Sequence, residues 1–297
     1  MNYIDLINEQ ATTKFLTGHT RTAANYRTAG RALNRFLQAR GISDLHIQQF
    51  TTLTALQLED YLLNSCEVCP NTSSFYFRQL RAVYNTAVRE GLCDDQDPFR
   101  QVYKSVATTR KRAAGPEDLR RLFSLDLSQE PKLAFARDLF RFSFLGRGIA
   151  FVDLAKLQQK HVQGNHLAYQ RSKTGQQVIV ELPETMVAII RRWHQPTSRY
   201  LFPILPQPHC PRDYDTALRS YNRRLAKLSE RCHFAGDLTS YIARHSWASE
   251  AYRLGVPIQA ISACMGHTTE QTTRIYLRSL STQHLDRSAQ PVLDAYA

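Results

Sequence analysis

The chain has 297 residues, enough for one large domain or two ordinary ones, each with its own core. Hydrophobic residues at 43% and charged residues at 22% give the balance of a soluble globular protein. A formal net charge of +12 favours a polyanionic partner, although an acidic protein or a membrane surface would also attract such a chain.

The opening Met1-Asn-Tyr-Ile-Asp5-Leu-Ile-Asn-Glu9 carries acids where an export signal carries a basic patch, and no apolar core follows. The one long apolar stretch, Leu133 to Ala155, is interrupted by Arg137, Arg141 and Arg147, so a membrane span is excluded there and a cytoplasmic, nucleoid-associated location is expected. Charge is uneven: residues 1–110 hold 12 Lys/Arg against 10 Asp/Glu, which leaves a net +10 on the remainder.

Residues 1–100 read as helices. A segment from about Thr20 to Arg40 sets Tyr26, Leu33, Phe36 and Leu37 at helical period and ends at Gly41. Its other face carries Arg27, Arg31 and Arg35 at i, i+4, i+8, which suits a solvated face and a phosphate-contacting ridge equally. Further helices are expected from near Thr54 through Leu62 and from Thr72 to Glu90, the last stopped by Gly91. Cys66-Glu-Val-Cys69 is a lone pair with no second pair at zinc-finger spacing, so free thiols are expected and no metal. Residues 101–115, with Lys104, Arg110, Lys111 and Arg112 before Gly115-Pro116, read as a linker, and 116–297 as a second domain.

That second domain begins with helices as far as Leu157. The period then changes: His166 to Arg171 and Gln177 to Leu182 flank Ser-Lys173-Thr-Gly, which reads as a β-hairpin with Lys173 at its tip. Helices follow at about 184–193, 213–230 and 239–254, then a short one from Pro257 to Gly266 and a last one carrying Tyr276. The fold class expected is mainly α, with a helical domain followed by a mixed α/β domain holding a small sheet.

Cutting a DNA strand without a metal needs a side-chain nucleophile, cations on the non-bridging phosphate oxygens, and a proton donor for the leaving oxygen. Arginine suits the phosphate because its planar fork binds two oxygens and keeps its charge. Tyrosine can attack, but with a free pKa of about 10 it needs a proton acceptor or strong nearby positive charge. Residues 239–276 supply Tyr241, Arg244, His245, His267 and Tyr276 close together. Singly, each has a structural reading as good as a catalytic one, and spacing alone reaches only a basic helical protein that favours DNA.

The linked segments are more telling. Leu238-Thr-Ser-Tyr-Ile-Ala-Arg-His-Ser-Trp-Ala-Ser, Gly255-Val-Pro-Ile-Gln-Ala-Ile-Ser, Met265-Gly-His-Thr and Thr272-Thr-Arg-Ile-Tyr resemble, in order and spacing, the second signature block of the tyrosine recombinase (phage-type integrase) family. Leu145-Gly-Arg-Gly-Ile-Ala-Phe-Val-Asp-Leu-Ala is similar to the first block, and the N-terminal helices with the Arg-Lys-Arg linker are similar to the family's core-binding, SAM-like arm that closes around DNA.

The resemblance implies a site-specific recombinase for integration, excision or inversion. Arg147 and Arg244 would grip the scissile phosphate, Tyr276 would attack to leave a 3′-phosphotyrosyl link, Lys173 would protonate the 5′ oxygen, and His267 would hydrogen-bond the phosphate. Arg27, Arg31, Arg35, Lys111 and Arg112 are the candidate DNA contacts. The implied partners are paired sites on double-stranded DNA, three further copies of the chain and accessory DNA-bending proteins, with no cofactor. The sequence has no P-loop and no persuasive acidic metal cluster, in keeping with that chemistry.

Two positions depart from the family pattern. Tyr241 stands where a His is usual three residues before the second Arg, and tyrosine is a poor general base at neutral pH. Ala150 stands where an acid is usual after the first Arg, with Asp153 the nearest candidate to brace an arginine. Lys160 and Arg171 compete with Lys173 for its role. The alternative is a non-cleaving DNA-binding regulator on the same fold, and topoisomerase activity is a possible side reaction.

Overall fold

The structure, a computed structural model, describes residues 1–102, 113–206 and 211–277, without the side chains of residues 211, 272 and 275–277. Its chain divides into two compact units, Met1–Thr109 and Arg110–Ala297. No helix among the described residues is long and apolar enough to cross a membrane.

The described residues of the first unit form four α-helices, three of them long. Helix α1 (Tyr3–Leu16) starts where the Asn2 side chain accepts the Ile4 N–H at 2.8 Å, and it buries Tyr3, Leu6, Ile7 and Ala11 on one stripe. Helix α2 (Thr20–Ala39) packs on it closely. A Cβ at Gly30 would stand 2.9 Å from Ile7 Cγ2, so the absence of a side chain there lets the two helices approach.

Helix α3 (Thr52–Asp60) runs into a wider π-type turn at Tyr61–Ser65, and α4 (Pro70–Arg89) follows with Pro at its first turn. Phe99 returns from the end of α4 into the aromatic centre, with ring centroids 5.3 Å from Phe50 and 5.7 Å from Tyr84. Tyr3, fully buried, donates its hydroxyl hydrogen bond to the Leu80 carbonyl at 2.7 Å and so ties α1 to α4.

In the second unit α5 (Pro116–Ser124) and α6 (Pro131–Leu145) lead to a one-turn helix, α7 (Phe151–Leu154). Three antiparallel strands follow in the order β1 (Val162–Gln163), β2 (His166–Gln170) and β3 (Gln177–Glu181). The β2–β3 register pairs Leu167 with Val180 and Tyr169 with Val178, which puts these four on the buried face. The hairpin is as its alternation predicts, and the short strand β1 extends it by one.

Helices α8 (Glu184–Trp193), α9 (Pro211–Arg231), α10 (Ile242–Arg253), α11 (Ile258–Cys264) and α12 (Glu270–Leu277) complete the unit. Helix α6 is the central element, packed by α8, α9 and α10. The buried Asp138 on it takes the Trp193 indole N–H at 2.8 Å and pairs with Arg137 and Arg192, so its charge is met on all sides. The architecture is mainly helical with one small sheet, as the sequence indicates.

Phe142 is fully buried against Phe202 in this core. Replacing it by Ala should destabilise the second unit by about 3–5 kcal/mol, a fall in Tm on the order of 10 °C by thermal melting. An unchanged melt would place the core elsewhere.

Candidate active site

The site grows from the turn after α6. Ser143 fastens it: the N–H groups of Gly148 and Ile149 donate to the Ser143 carbonyl at 2.8 and 3.1 Å, and the Ser143 hydroxyl donates to the Ile149 carbonyl at 2.7 Å. Arg147 and Gly148 are both left-handed, with φ of 63° and 73°. For a non-glycine residue such as Arg147 that conformation costs about 1–2 kcal/mol, sustained by the bonds around it. It carries the Arg147 guanidinium to the edge of the sheet, where Nη1 donates to the Ile179 carbonyl at 3.2 Å.

Helix α10 supplies the second arginine. Arg244 is 3% exposed; its Nη1 donates to the Gly148 carbonyl at 2.7 Å and its Nη2 to the Met265 carbonyl at 2.5 Å. The same Nη2 stands 3.0 Å from His267 Nε2, and His267 Nδ1 is 2.8 Å from the Thr273 hydroxyl on α12. An arginine can only donate, so Nε2 accepts and Nδ1 carries the proton, which goes to Thr273. One guanidinium therefore joins the Arg147 turn to the loop that bears His267.

The His267 imidazole is held neutral. Burial pulls its pKa down to about 4, helped by the charges of Arg244, Arg171 and Lys173. Those contributions place Lys173, at the exposed β2–β3 turn, within electrostatic reach of His267. Lys160 lies on the turn Gln159–His161, where its charge acts on His161 instead. Arg171, the other competitor, is turned inward and donates from Nη1 to the Gly266 carbonyl at 2.6 Å. Asp153 braces an arginine, but it is Arg171, at 3.9 Å.

Tyr169, on the buried face of β2, shares this environment. Its phenol is kept protonated, chiefly by burial and then by the charge of Asp153, against the opposing charges of Arg244, Arg171 and Arg147. Tyr241 caps the start of α10, 46% exposed, its ring edge-on to His245 with centroids 4.6 Å apart. Tyr276 lies on α12, one turn beyond Thr273; its side chain is outside the described residues. Among the described residues neither Arg147 nor Lys173 has a carboxylate in ion-pair range.

Of the candidate DNA contacts, Arg31 and Arg35 are exposed on α2, while Arg27 is half-buried with its guanidinium 5.9 Å above the Phe15 ring. Lys111 and Arg112 lie outside the described residues. A second stripe at the same spacing, Arg219, Arg223 and Lys227, is exposed on α9 and was as readable from the sequence as the first. Sequence reasoning also passed over Thr273 and Gly148; no spacing rule marks a hydroxyl that orients an imidazole from six residues away.

The chain is similar to known proteins over most of its length. Residues 147–283 match the phage integrase family and residues 2–104 the phage integrase SAM-like domain. No curated protein matches the chain. Among solved structures, a lambda integrase (residues 75–356) dimer bound to a core site is 15% identical, with 93% of this chain and 95% of that one covered and a TM-score of 0.68. A Tn1549 transposon integrase (residues 82–397) in complex with a circular intermediate DNA is 17% identical, covers 98% and 99%, and has a TM-score of 0.66.

Two outcomes check this geometry. Gly148→Ala would bring a Cβ to 2.7 Å from Arg244 Cα at a positive φ, and should cost about 2–5 kcal/mol in denaturant unfolding. Gly255→Ala, at φ 84° with open space around it, should cost less. His267 should titrate near pH 4 in a histidine-labelled NMR experiment, not near 6.5. The unfolded chain takes that proton first, so stability should fall as pH drops from about 6.5 toward 4, and His267→Gln should lose that slope.

With residues 147–283 and residues 2–104 both matched, the chain belongs to the phage integrase family.

Proposed function

We propose that the protein is a site-specific DNA recombinase that cuts and rejoins strands through a phosphotyrosyl intermediate. The observation that carries this is the Arg244 guanidinium, bonded at once to the Gly148 carbonyl beside Arg147 and to His267. Arg244, Arg171 and Lys173 concentrate positive charge around a neutral imidazole, and Arg147 joins the first two around Tyr169, with Asp153 as the acid among them. Such a cluster suits the extra negative charge of a five-coordinate phosphorus.

A phosphate oxygen arriving beside Arg244 would take over the Nη2 donor now given to His267. Because the Thr273 hydroxyl can donate as well as accept, His267 can then carry its proton on Nε2 and offer it to the same phosphate. Tyr276 attacks phosphorus, the bond to the 5′ oxygen breaks, and Lys173 gives that oxygen its proton. Neither exposed Tyr241 nor an imidazole with a pKa of about 4 is a strong base. The cationic field, which favours a phenolate, therefore carries most of the activation of Tyr276. The phosphotyrosyl bond conserves the phosphodiester energy, so a second 5′-hydroxyl can reverse the attack without ATP.

Arg31 and Arg35 on α2, and Arg219, Arg223 and Lys227 on α9, are proposed backbone contacts. Assembly as a tetramer across two duplexes belongs to the same proposal, as does help from DNA-bending proteins.

The test begins with duplexes recovered by binding from a random pool, remade with a nick and incubated with the full chain. A denaturing gel should show a covalent protein–DNA adduct, lost in Tyr276→Phe. An equal adduct from that variant would remove Tyr276 as nucleophile. A tightly bound duplex that gives no adduct would favour a non-cleaving regulator.

A further inference from the structure

The carboxylate of Asp153 is 3% exposed and sits on α7, away from solvent that would otherwise stabilise its charge. It spends its two oxygens differently. Oδ1 accepts the Ser172 N–H at 2.8 Å, whereas Oδ2 faces Arg171 Nε at 3.9 Å, a distance for charge attraction without a hydrogen bond. Arg171, 7% exposed, reaches on to the Gly266 carbonyl at 2.6 Å, and the Thr174 hydroxyl donates to that same carbonyl at 3.4 Å.

Ser172 and Thr174 are the two neighbours of Lys173. The exposed lysine is thus the middle of a turn gripped on both sides, by α7 through Asp153 and by the residue before His267 through Thr174. Gly175, at φ 70°, closes the turn by donating its N–H to the Arg171 carbonyl at 2.8 Å. An apolar residue at 153 would fill the same space without desolvating a charge, but it would offer no acceptor to Ser172 and no counter-charge to Arg171.

We propose that Asp153, with Arg171 and Thr174, is a positioning device that holds Lys173 where it can deliver a proton to the departing 5′ oxygen. This inference rests on the proposed role of Lys173. In that step the P–O5′ bond breaks, the oxygen takes a proton from the Lys173 ammonium, and the lysine is left neutral until solvent reprotonates it. If the oxygen is replaced by a bridging sulfur, the departing thiolate needs no proton, and a fault confined to proton delivery disappears. A fault in the general fold of the site does not.

The experiment uses the full chain and a duplex that the parent protein cleaves, remade with a 5′-bridging phosphorothiolate at the mapped position. Asp153→Asn should cleave the ordinary duplex about 100-fold more slowly than the parent and the sulfur duplex within about threefold of it. Thr174→Val, which removes one hydroxyl from a partly exposed turn, should show a smaller loss with the same rescue and serves if Asp153→Asn does not fold. Lys173→Ala is the reference. If Lys173→Ala is not rescued by sulfur, the role of Lys173 is wrong and the inference falls with it. If Lys173→Ala is rescued but Asp153→Asn and Thr174→Val are slow on both duplexes, or as fast as the parent on both, the positioning claim alone is overturned.

Discussion

The candidate site depends on one buried cation that reaches two main-chain carbonyls and an imidazole. Arg244 gives its protons to the carbonyls of Gly148 and Met265 and to His267. Those carbonyl dipoles orient the guanidinium in the site. The same bonds fix two loops that are far apart in sequence, since Gly148 follows α6 and Met265 ends α11. Orientation of the imidazole is then a consequence, completed by Thr273 from α12.

Much of the surrounding fold can be seen as what this bond network requires. Gly148 has no room for a side chain because the Arg244 backbone passes beside it. Gly266 is crowded in the same way, with a would-be Cβ 2.7 Å from Arg171 Cδ and 3.1 Å from Val178 Cγ2. The two glycines let the turn after α6 lie against α10 and the turn after α11 lie against the β2–β3 hairpin. Buried α10, between α6 and α12, carries the arginine to the first of these contacts.

The sequence was most legible where periodicity decides. The hairpin at 166–181 follows strict alternation, and the helices at 20–39, 70–89 and 184–193 follow amphipathic stripes. Helix α10 was harder to delimit: buried on most sides, it lacks a polar stripe, and it begins at Ile242 after a turn through Thr239. Helix α1 has Tyr3, Leu6, Ile7 and Ala11 at helical spacing, but in the sequence its acids served only as a mark against an export signal. Arg147, Arg244 and His267 were named from linked motifs rather than from chemistry alone. The partner of Asp153 could not be named at all, since a carboxylate one turn past the usual position has several arginines within reach and only the three-dimensional path of β2 selects Arg171.

The central claim is that Arg147 and Arg244 act on one phosphate. A crystal structure of the full chain on a nicked duplex, with orthovanadate in the gap as a stand-in for five-coordinate phosphorus, measures this directly. Both guanidiniums should lie within about 3 Å of equatorial vanadate oxygens, with the Tyr276 Oη apical and in line. Guanidiniums bound to different phosphates, or a Tyr276 oxygen remote from vanadium while the duplex is fully engaged, would contradict it.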